Sequence, residues 1–505
     1  MTTFQQVWDS AVREHGDRTF LLFRSESGVR SEWTYREFDL VVAAAAGALR
    51  AAGVEQGSAV HVVLRNCPAF VALWLAVSRL GAWLVPADPE SAARDVANQV
   101  RRVAPVVGVC ATARAGTYRE GAAGQVATVL ELAEDASDVV AGAPLDGPAG
   151  EPARVDPLDR LAVMFTSGTT SAPKGVVLTQ ATYATVAGVM ARASALEPRH
   201  RWHVTLPLFH ANAQYYCFAP AIAVGASVAL SAVFSASGWV RHARELGVTH
   251  ASLFAAPIRM ILARCPADEE PLHLEHVWFA QSLGAEHHAQ FAGLAGVRPR
   301  QLYGMTETVA IVCADTSHPA RHDVIGRPVP GRRVRVEPAG TGSGPDAPGE
   351  LIVLGTPGVD LFAGYLDDEA TTAKAFRETD EGTWFATGDL VSQGADGVLR
   401  FVGRVDDVIK VSGENVSLSE VEAAVAQAPG VLEAAVVARP DPIRDVVPVA
   451  YVVARDPARP PDPAELEDWA RHNLTPASRP RDWTVIDELP RTSVGKVRRF
   501  RLATT

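Results

Sequence analysis

Residues 165–175 read Phe165-Thr-Ser-Gly-Thr-Thr-Ser-Ala-Pro-Lys-Gly175, and this run says most about the fold of the chain. The apolar residues 160–165 before it predict a buried strand. Small residues let backbone N–H groups approach an anion closely, hydroxyl groups add hydrogen-bond donors, and a lysine adds positive charge. The run therefore predicts a phosphate-binding loop held by a strand. The residues expected to contact phosphate are Thr166, Ser167, Gly168, Thr169, Thr170 and Lys174.

The spacing around the lysine differs from that of the ordinary P-loop, in which lysine directly follows the second glycine and precedes serine or threonine. Here Pro173 precedes Lys174, and Gly175 follows it. The loop is interpreted as a phosphate-binding loop of a different class from the P-loop, with a nucleotide polyphosphate as its ligand. The alternative is a polar surface loop without a ligand.

Length and composition indicate a globular enzyme with more than one structural unit. A chain of 505 residues is too long for a single core, and its 48% apolar and 21% charged residues are typical of such enzymes. The net charge of −11 argues against a nucleic-acid or anionic-membrane surface. The five cysteines include no CxxC pair, so neither a disulfide framework nor a zinc site is expected, and the cytoplasm is the expected location.

Two stretches bear on membranes and targeting. Residues 1–9 lack a basic segment followed by an apolar one, so no signal peptide is expected. The apolar stretch 69–86 contains Arg79 and ends at Pro86, which makes it too short and too interrupted to span a bilayer. No membrane insertion is expected.

Hydrophobic periodicity predicts alternating helices and strands in the first part of the chain. The predicted helices cover 35–54 and 68–82, and the predicted strands cover 58–65, 82–86, 227–232, 249–254 and 276–280. This alternation implies helices packed on mostly parallel sheets.

From about residue 324 the pattern changes to short strands and then to a smaller unit. Strands are predicted at 332–336 and 350–354, and a strand, tight turn and strand at 384–402. The smaller unit is predicted to contain helix 417–428, strands 432–438 and 448–454, helix 463–473 and strand 483–487. The predicted fold class is α/β, with a large domain (1–404) of stacked, mostly parallel sheets and flanking helices, joined by a hinge to a small α+β domain (405–505).

Several further motifs follow the phosphate loop in a fixed order. They are Leu302-Tyr-Gly-Met-Thr-Glu-Thr308, Thr387-Gly-Asp-Leu390, Gly403-Arg-Val-Asp-Asp-Val-Ile-Lys410, Ser412-Gly-Glu-Asn-Val-Ser417 and Pro490-Arg-Thr-Ser-Val-Gly-Lys-Val-Arg498. This set closely resembles the adenylate-forming superfamily, which comprises acyl-CoA synthetases, luciferases and the adenylation domains of peptide synthetases. The motifs span residues 160–498, and the resemblance in fold is expected to extend to the whole chain.

The resemblance implies roles for the residues of the nucleotide site. Glu307 would hold Mg²⁺, for which a carboxylate oxygen is a usual ligand, and Thr306 would contact the phosphates. Tyr303 would lie by the adenine, and Asp389 would accept both ribose hydroxyls, with Arg404 close to the same nucleotide. Gly284 and Gly304 are further expected nucleotide contacts.

The same resemblance implies a mobile small domain. Lys496 would be the catalytic lysine, which stabilises the negative charge that builds on the transferred phosphoryl group in the first half-reaction. Asp406 would be the hinge about which the small domain rotates. Rotation would then bring Lys410 and the loop containing Ser412 and Gly413 toward the substrate, and CoA is the expected second substrate.

The acid pocket is expected near His210, in the run Leu206-Pro-Leu-Phe-His210. Amino-acid-activating relatives have aspartate at this position, so an ordinary amino acid is not the expected substrate. The chain also departs from the usual pattern at Ser171, Gln180, Gln281-Ser-Leu283 and Asp441–Pro448.

The expected activity is ATP-dependent adenylation of a small acyl or aryl carboxylic acid with release of pyrophosphate, followed by transfer to a thiol, with CoA as the expected thiol, and release of AMP. The alternatives within the same family keep the ATP step and change the partners. They are loading of a carrier protein in secondary metabolism and adenylation of another oxyanion, such as nitrite, for diazotisation of an aryl amine. A non-catalytic nucleotide-binding protein is the alternative from a different class.

Overall fold

The computed structural model describes residues 1–166, 173–266, 268–338, 347–411, 414–441, 445–491 and 497–502. In these ranges the strands form four sheets, two of them mostly parallel and two mostly antiparallel.

The largest sheet joins the middle of the chain to its N-terminal part. From one edge to the other its strands are Arg327–Pro328, Cys313–Ala314, Arg300–Tyr303, His276–Ala280, His250–Phe254, Arg201–Val204, Ser227–Ser231, Thr19–Arg24 and Arg30–Thr34. The central strands, from Arg300–Tyr303 to Thr19–Arg24, pair in parallel, and the outer strands at both edges pair antiparallel.

The second sheet contains the strand that precedes the predicted phosphate loop. Its order is Gly364–Tyr365, Lys174–Thr179, Arg160–Thr166, Trp83–Pro86, Ala59–Val63, Val107–Ala111 and Thr128–Leu132. The last five of these strands pair in parallel, whereas Lys174–Thr179 pairs antiparallel with both of its neighbours.

The remaining two sheets belong to the later part of the chain. The third is antiparallel and contains Arg333–Pro338, Gly349–Gly355, Phe376–Thr379, Gly382–Gln393 and Leu399–Arg404. The fourth contains Val408–Val411, Glu414–Ser417, Val431–Asp441, Asp445–Ala454 and Trp483–Ile486, the last of which pairs in parallel.

Helices flank the sheets and alternate with the strands along the chain. The α-helices are Phe4–His15, Tyr35–Ala51, Pro68–Leu80, Ala93–Val103, Ala115–Ala122, Gln180–Ala193, Ala219–Val224, Trp239–Glu245, Ala255–Arg264, Ala285–Ala295, Glu369–Ala375, Leu418–Val425, Pro463–Asn473 and Arg499–Leu502. Shorter helical turns are Thr112–Arg114, Ala136–Val139, Thr306–Thr308 and Val405–Asp407, and Asn212–Phe218 is a π-helix.

The helix Pro68–Leu80 explains the most apolar stretch of the sequence. Proline lies in its first turn, Gly81 ends it in a left-handed conformation with φ 64°, and nearly all of its residues are buried. It packs in the core cluster that joins the two mostly parallel sheets. None of the helices in the described ranges has the length and apolar character that a bilayer crossing requires.

The predicted α/β fold class is confirmed, and the predicted helices and strands occur. The helices Tyr35–Ala51 and Pro68–Leu80 end earlier than predicted, whereas the strands Gly349–Gly355 and Val431–Asp441 extend beyond their predicted bounds. One local prediction is incomplete. Lys174 was expected in the loop, but it begins the strand Lys174–Thr179, which pairs antiparallel with Arg160–Thr166. The apolar run 176–178 within that strand, with two valines, favours this extended conformation.

Candidate nucleotide and acid site

Three of the predicted nucleotide-site residues meet at one buried carboxylate. Tyr303 ends a strand of the largest sheet, while Asp389 and Arg404 face each other on neighbouring strands of the third sheet. The Tyr303 hydroxyl donates a hydrogen bond of 2.7 Å to Asp389 Oδ2, and Arg404 Nε lies 3.3 Å from Oδ1. Only 8% of Asp389 is exposed, so these contacts offset part of the cost of burying its charge.

The backbone around Asp389 fixes the carboxylate in place. Thr387 Oγ1 accepts a hydrogen bond from the Asp389 N–H at 3.1 Å and donates one to the carbonyl of Leu351 at 2.7 Å. Gly388 between them has φ 70°, a left-handed conformation that glycine adopts without strain. Arg404 Nε is buried and forms no hydrogen bond in the described ranges, so its contact with Asp389 is an ion pair.

Glu307 lies in the short turn Thr306–Thr308, directly after the strand that ends at Tyr303. Its side chain is buried, with 6% of the residue exposed, and the hydroxyl of Tyr365 donates a hydrogen bond of 3.1 Å to its Oε1. Thr306, the first residue of the turn, is half-buried on the same segment. The turn therefore presents a carboxylate and a hydroxyl group together.

The segment after Glu307 is strained and is held by a buried arginine. Val309 has φ 65°, an uncommon conformation for a β-branched residue. The guanidinium of Arg332, only 8% exposed, donates hydrogen bonds to the carbonyls of Thr308 and Ala310 and, at 2.7 Å, to that of Asp360. These bonds stabilise the strained backbone that carries the Glu307 turn.

The two ends of the predicted phosphate loop lie side by side. Thr166 and Lys174 are register partners, and Thr166 Oγ1 donates a hydrogen bond of 3.5 Å to the Lys174 carbonyl. The ammonium group of Lys174 lies 5.0 Å from the centroid of the Tyr365 ring, in cation–π contact. Lys174 and Glu307 thus contact the same side chain. The predicted phosphate ligands Ser167, Gly168, Thr169 and Thr170, and the departure Ser171, lie outside the described residues.

The segment predicted to line the acid pocket lies against the nucleotide site. His210 is half-buried with its ring 4.4 Å from that of Phe209, and the π-helix Asn212–Phe218 follows it. A Cβ atom at Gly304 would lie 3.0 Å from the Tyr216 hydroxyl, a tight distance, so glycine leaves room for this close approach. The buried Asn212 Oδ1 accepts no hydrogen bond in the described part of the chain, which leaves a polar group for a ligand.

Gln281, one of the residues that depart from the usual family pattern, has a backbone conformation that glycine usually adopts. Gln281 has φ 74°, a left-handed conformation that costs a non-glycine residue about 1 kcal/mol. Its carbonyl accepts a hydrogen bond of 3.3 Å from the side chain of Gln301. Gly284, another predicted nucleotide contact, precedes the helix Ala285–Ala295 at its N-terminal end.

The second departure, Gln180, is a structural residue of the core. It is fully buried, its side-chain oxygen accepts a hydrogen bond of 3.1 Å from the backbone N–H of Gln5, and its amide donates one of 3.1 Å to Ser78 Oγ. These contacts tie the start of the helix Gln180–Ala193 to two other helices. Because its polar atoms form hydrogen bonds inside the core, Gln180 has a structural role.

The small-domain predictions are only partly within the described chain. Lys410 is exposed on the strand Val408–Val411, paired in register with Asn415. Asp406 lies in the turn Val405–Asp407, between the last strand of the third sheet and the first strand of the fourth. Ser412, Gly413 and Lys496 lie outside the described residues.

Sequence analysis missed two residues of the site, Tyr365 and Arg332. Each acts across a long sequence separation, of 58 residues for the bond between Tyr365 and Glu307 and 24 for that between Arg332 and Thr308. Neither stands in a motif whose composition suggests chemistry. A tyrosine directly after a glycine and an arginine after a turn are common features of any fold.

Comparisons with known proteins identify the family of the chain. The model of the AMP-binding enzyme family matches residues 8–366, and that of the AMP-binding enzyme C-terminal domain matches residues 420–496. A crotonobetaine/carnitine–CoA ligase of Salmonella paratyphi A is 28% identical to this chain, over 98% of this chain and 97% of that protein.

Two solved structures share the fold over nearly the whole length. An anthranilate CoA ligase in complex with anthranoyl-AMP superposes with a TM-score of 0.87 and 22% identity, over 100% of this chain and 97% of that chain. A benzoate CoA ligase from Burkholderia xenovorans LB400 superposes with a TM-score of 0.86 and 21% identity, over 100% of both chains. Because the first family model covers well over half of the sequence, the chain belongs to the AMP-binding enzyme family.

Proposed function

We propose that this protein joins a small carboxylic acid to coenzyme A in two half-reactions. In the first, the acid and ATP give an acyl-adenylate and pyrophosphate. In the second, the thiol of CoA displaces AMP and forms the thioester. The proteins similar to this chain include ligases named for crotonobetaine or carnitine, anthranilate and benzoate, all of which are carboxylic acids.

One observation supports this proposal most. In this member of the AMP-binding enzyme family, two clusters of polar side chains lie next to each other. One cluster, Tyr303, Asp389 and Arg404, offers an aromatic face, a carboxylate and a guanidinium to a nucleoside. The other, Glu307 and Lys174, offers an acidic and a basic group on either side of Tyr365, as a metal-bound polyphosphate requires.

Asp389 is proposed to accept hydrogen bonds from the ribose hydroxyls. Replacing it by asparagine keeps the shape and removes the charge, so we expect the KM for ATP to rise roughly tenfold, in line with the worth of a charge-assisted hydrogen bond. The kcat at saturating ATP should change less. Steady-state kinetics with ATP and with 2′-deoxy-ATP check this, because the variant should discriminate between the two nucleotides less than the natural enzyme does.

In the first half-reaction a carboxylate oxygen of the acid attacks the α-phosphorus, and the bond from that phosphorus to the bridging oxygen of pyrophosphate breaks. Negative charge builds on the transferred group, so the groups that assist are cations and hydrogen-bond donors held in place. Lys174 and Thr306 are proposed to bind the phosphates, His210 to line the acid pocket, and Lys496 to stabilise the transferred group. The substrate itself supplies the nucleophile.

A magnesium ion is proposed to accompany the nucleotide at Glu307. The described residues contain no cluster of three or more histidine, cysteine or acidic side chains able to hold a metal. Mg²⁺ commonly needs just one or two protein carboxylates when phosphates and water complete its shell, so the buried Glu307 carboxylate fits this ion. When bound, the ion neutralises phosphate charge.

In the second half-reaction the sulfur of CoA attacks the acyl carbon, and the bond from that carbon to the AMP phosphate oxygen breaks. We propose that residues 405–505 form the small mobile domain and that Asp406 is its hinge, which lets Lys410, Ser412 and Gly413 approach the adenylate. A turn of three residues between the third and fourth sheets is a suitable place for such a motion.

Replacing Asp406 by proline tests the hinge, because proline fixes φ near −65° and restricts the preceding residue. We expect the thioester-forming step to fall at least tenfold, as an estimate of order of magnitude, while adenylate formation changes by less than about threefold. Single-turnover measurements of the two half-reactions separate them. Asp406→Ala is the matched control, since it removes the side chain and leaves the backbone free; equal losses in both half-reactions would argue against a hinge.

All five cysteines are free thiols, which fits the reducing cytoplasm that we propose as the site of this reaction. The proposed overall activity is tested by incubating the purified chain with MgATP, CoA and a panel of acyl and aryl acids. Mass spectrometry should detect equal amounts of AMP and one acyl-CoA, and formation of ADP or of no thioester with any acid contradicts the proposal.

A further inference from the structure

A short segment, residues 362–366, lies between the Glu307 turn and the strand that follows the phosphate loop, and we name it the clasp segment. The backbone N–H of Phe362 donates a hydrogen bond of 2.9 Å to the carbonyl of Glu307. At the other end, the N–H of Leu366 donates one of 2.7 Å to the carbonyl of Gly175. The clasp segment therefore connects two parts of the site that lie far apart in sequence.

The clasp segment is also anchored from outside the site. Its strand Gly364–Tyr365 pairs antiparallel with the strand Lys174–Thr179. The guanidinium of Arg102 donates hydrogen bonds of 2.6 Å to the carbonyl of Pro173 and of 3.3 Å to that of Leu366. Arg102 thus joins the end of the clasp segment to the backbone that precedes Lys174.

Tyr365 is the residue of the clasp segment whose side chain enters the site. Its hydroxyl donates to Glu307 Oε1 at 3.1 Å, and its ring centroid lies 5.0 Å from Lys174 Nζ. The ring also packs on that of Phe362, with centroids 4.8 Å apart, which restricts its rotation. One rigid side chain therefore contacts an anion with its hydroxyl and a cation with its face.

We propose that Tyr365 is a positioning residue of the first half-reaction, which sets Glu307 for the metal ion and Lys174 for the phosphates of the same MgATP. The inference rests on the proposed function, because it assumes that both side chains bind this nucleotide. Partners that orient a metal ligand commonly matter almost as much for metal affinity as the ligand itself. Holding both charged groups on one ring fixes their separation before the nucleotide arrives.

Two substitutions separate the two contacts of Tyr365. Tyr365→Phe removes the hydroxyl and keeps the ring, whereas Tyr365→Leu removes both. The measured quantity is the Mg²⁺ concentration that gives half-maximal binding of a non-hydrolysable ATP analogue. We expect Tyr365→Phe to raise this concentration about tenfold and to leave the affinity for the analogue without metal unchanged. Tyr365→Leu should also weaken metal-free binding by about threefold, because Lys174 loses its cation–π contact.

Isothermal titration calorimetry with the analogue, at a series of Mg²⁺ concentrations and in EDTA, measures both effects without requiring turnover. Tyr35→Phe is the matched control, since Tyr35 is a fully buried tyrosine whose hydroxyl donates to the carbonyls of Ala221 at 3.1 Å and Ala226 at 2.7 Å in another part of the fold. It should lower the melting temperature without changing the Mg²⁺ requirement. A change in Mg²⁺ requirement in both variants would mean a general loss of stability and would overturn the proposal.

A double-mutant cycle tests whether Tyr365 acts through Glu307. In the Glu307→Gln background, Tyr365→Phe should have no further effect on the Mg²⁺ requirement. A Tyr365→Phe variant with the natural Mg²⁺ requirement refutes this inference alone. A natural chain that binds the MgATP analogue but activates no acid refutes the proposed function. The calorimetric test of Tyr365 does not depend on that outcome, because it measures only nucleotide and Mg²⁺ binding.

Discussion

Replacing Lys496 by alanine is expected to lower the rate of adenylate formation about 100-fold or more, because loss of one donor to a developing negative charge commonly costs this much. ATP binding and the melting temperature should change little. The reason is that Lys496 is proposed to act on the transferred phosphoryl group, whose charge is greatest in the transition state, whereas the bound nucleotide is held by the large domain. Acid-dependent pyrophosphate release and calorimetric ATP binding measure the two properties separately.

Lys410→Ala is the matched control for Lys496→Ala. Both residues are lysines of the proposed small domain, and Lys410 is exposed on the strand Val408–Val411. We expect Lys410→Ala to slow thioester formation and to leave adenylate formation within about threefold of the natural rate, as expected for a group that reaches the site only after a domain rotation. Opposite effects of the two substitutions on the two half-reactions would be difficult to explain by misfolding. Normal pyrophosphate release in Lys496→Ala would refute the assigned role.

Replacing Glu307 by glutamine is expected to lower adenylate formation about 100-fold at millimolar Mg²⁺, since a neutral amide is a much poorer ligand for this hard cation than a carboxylate. The substitution keeps the volume of the side chain. The glutamine oxygen can still accept a hydrogen bond from the Tyr365 hydroxyl, which lies 3.1 Å from Glu307 Oε1 in the natural chain. ATP binding in EDTA should therefore be retained. Rates measured across a Mg²⁺ and Mn²⁺ titration should show partial recovery at high metal concentration.

Glu369→Gln provides the control for this second substitution. Glu369 is an exposed glutamate at the start of the helix Glu369–Ala375, four residues after Tyr365 in the sequence. Its loss should leave the rate and the metal dependence unchanged. If Glu307→Gln kept the natural rate and metal dependence, the magnesium site would have to be placed elsewhere.

The sequence predicted the elements of the fold well where local patterns determine them. The buried helix Pro68–Leu80 has proline at its start and glycine after its end, and the strand Ala59–Val63 is an apolar run interrupted only by His61. The helix Pro463–Asn473 in the last part of the chain follows an aspartate that caps its N-terminus. In each case the residues that fix the element lie within it or next to it.

The nucleotide site was predicted from motifs, and the structure adds what their spacing cannot express. Tyr303 and Asp389 belong to different motifs, and their contact at 2.7 Å depends on how two sheets meet. Tyr365 and Arg332 belong to no recognised motif, because their roles are contacts with Glu307 and with backbone carbonyls that only the tertiary fold brings close. Such supporting residues have no local sequence signal, since the sequence around them does not distinguish them from other tyrosines and arginines.

The pocket that selects the acid was the least predictable part for the same reason. His210 was recognised from its motif, whereas the π-helix Asn212–Phe218 after it has no local sequence signal, and its contact with Gly304 joins segments almost a hundred residues apart. The left-handed Gln281 likewise retains a backbone conformation that its residue type disfavours.

The central claim is that this chain uses ATP to adenylate a carboxylic acid. Exchange of labelled pyrophosphate into ATP, measured with MgATP, a panel of acyl and aryl acids, and nitrite with an aryl amine, tests it most directly. The account predicts exchange that depends on a carboxylic acid and disappears in Lys496→Ala. Exchange that occurs only with nitrite, or that is absent with every acid although the nucleotide binds, would contradict it.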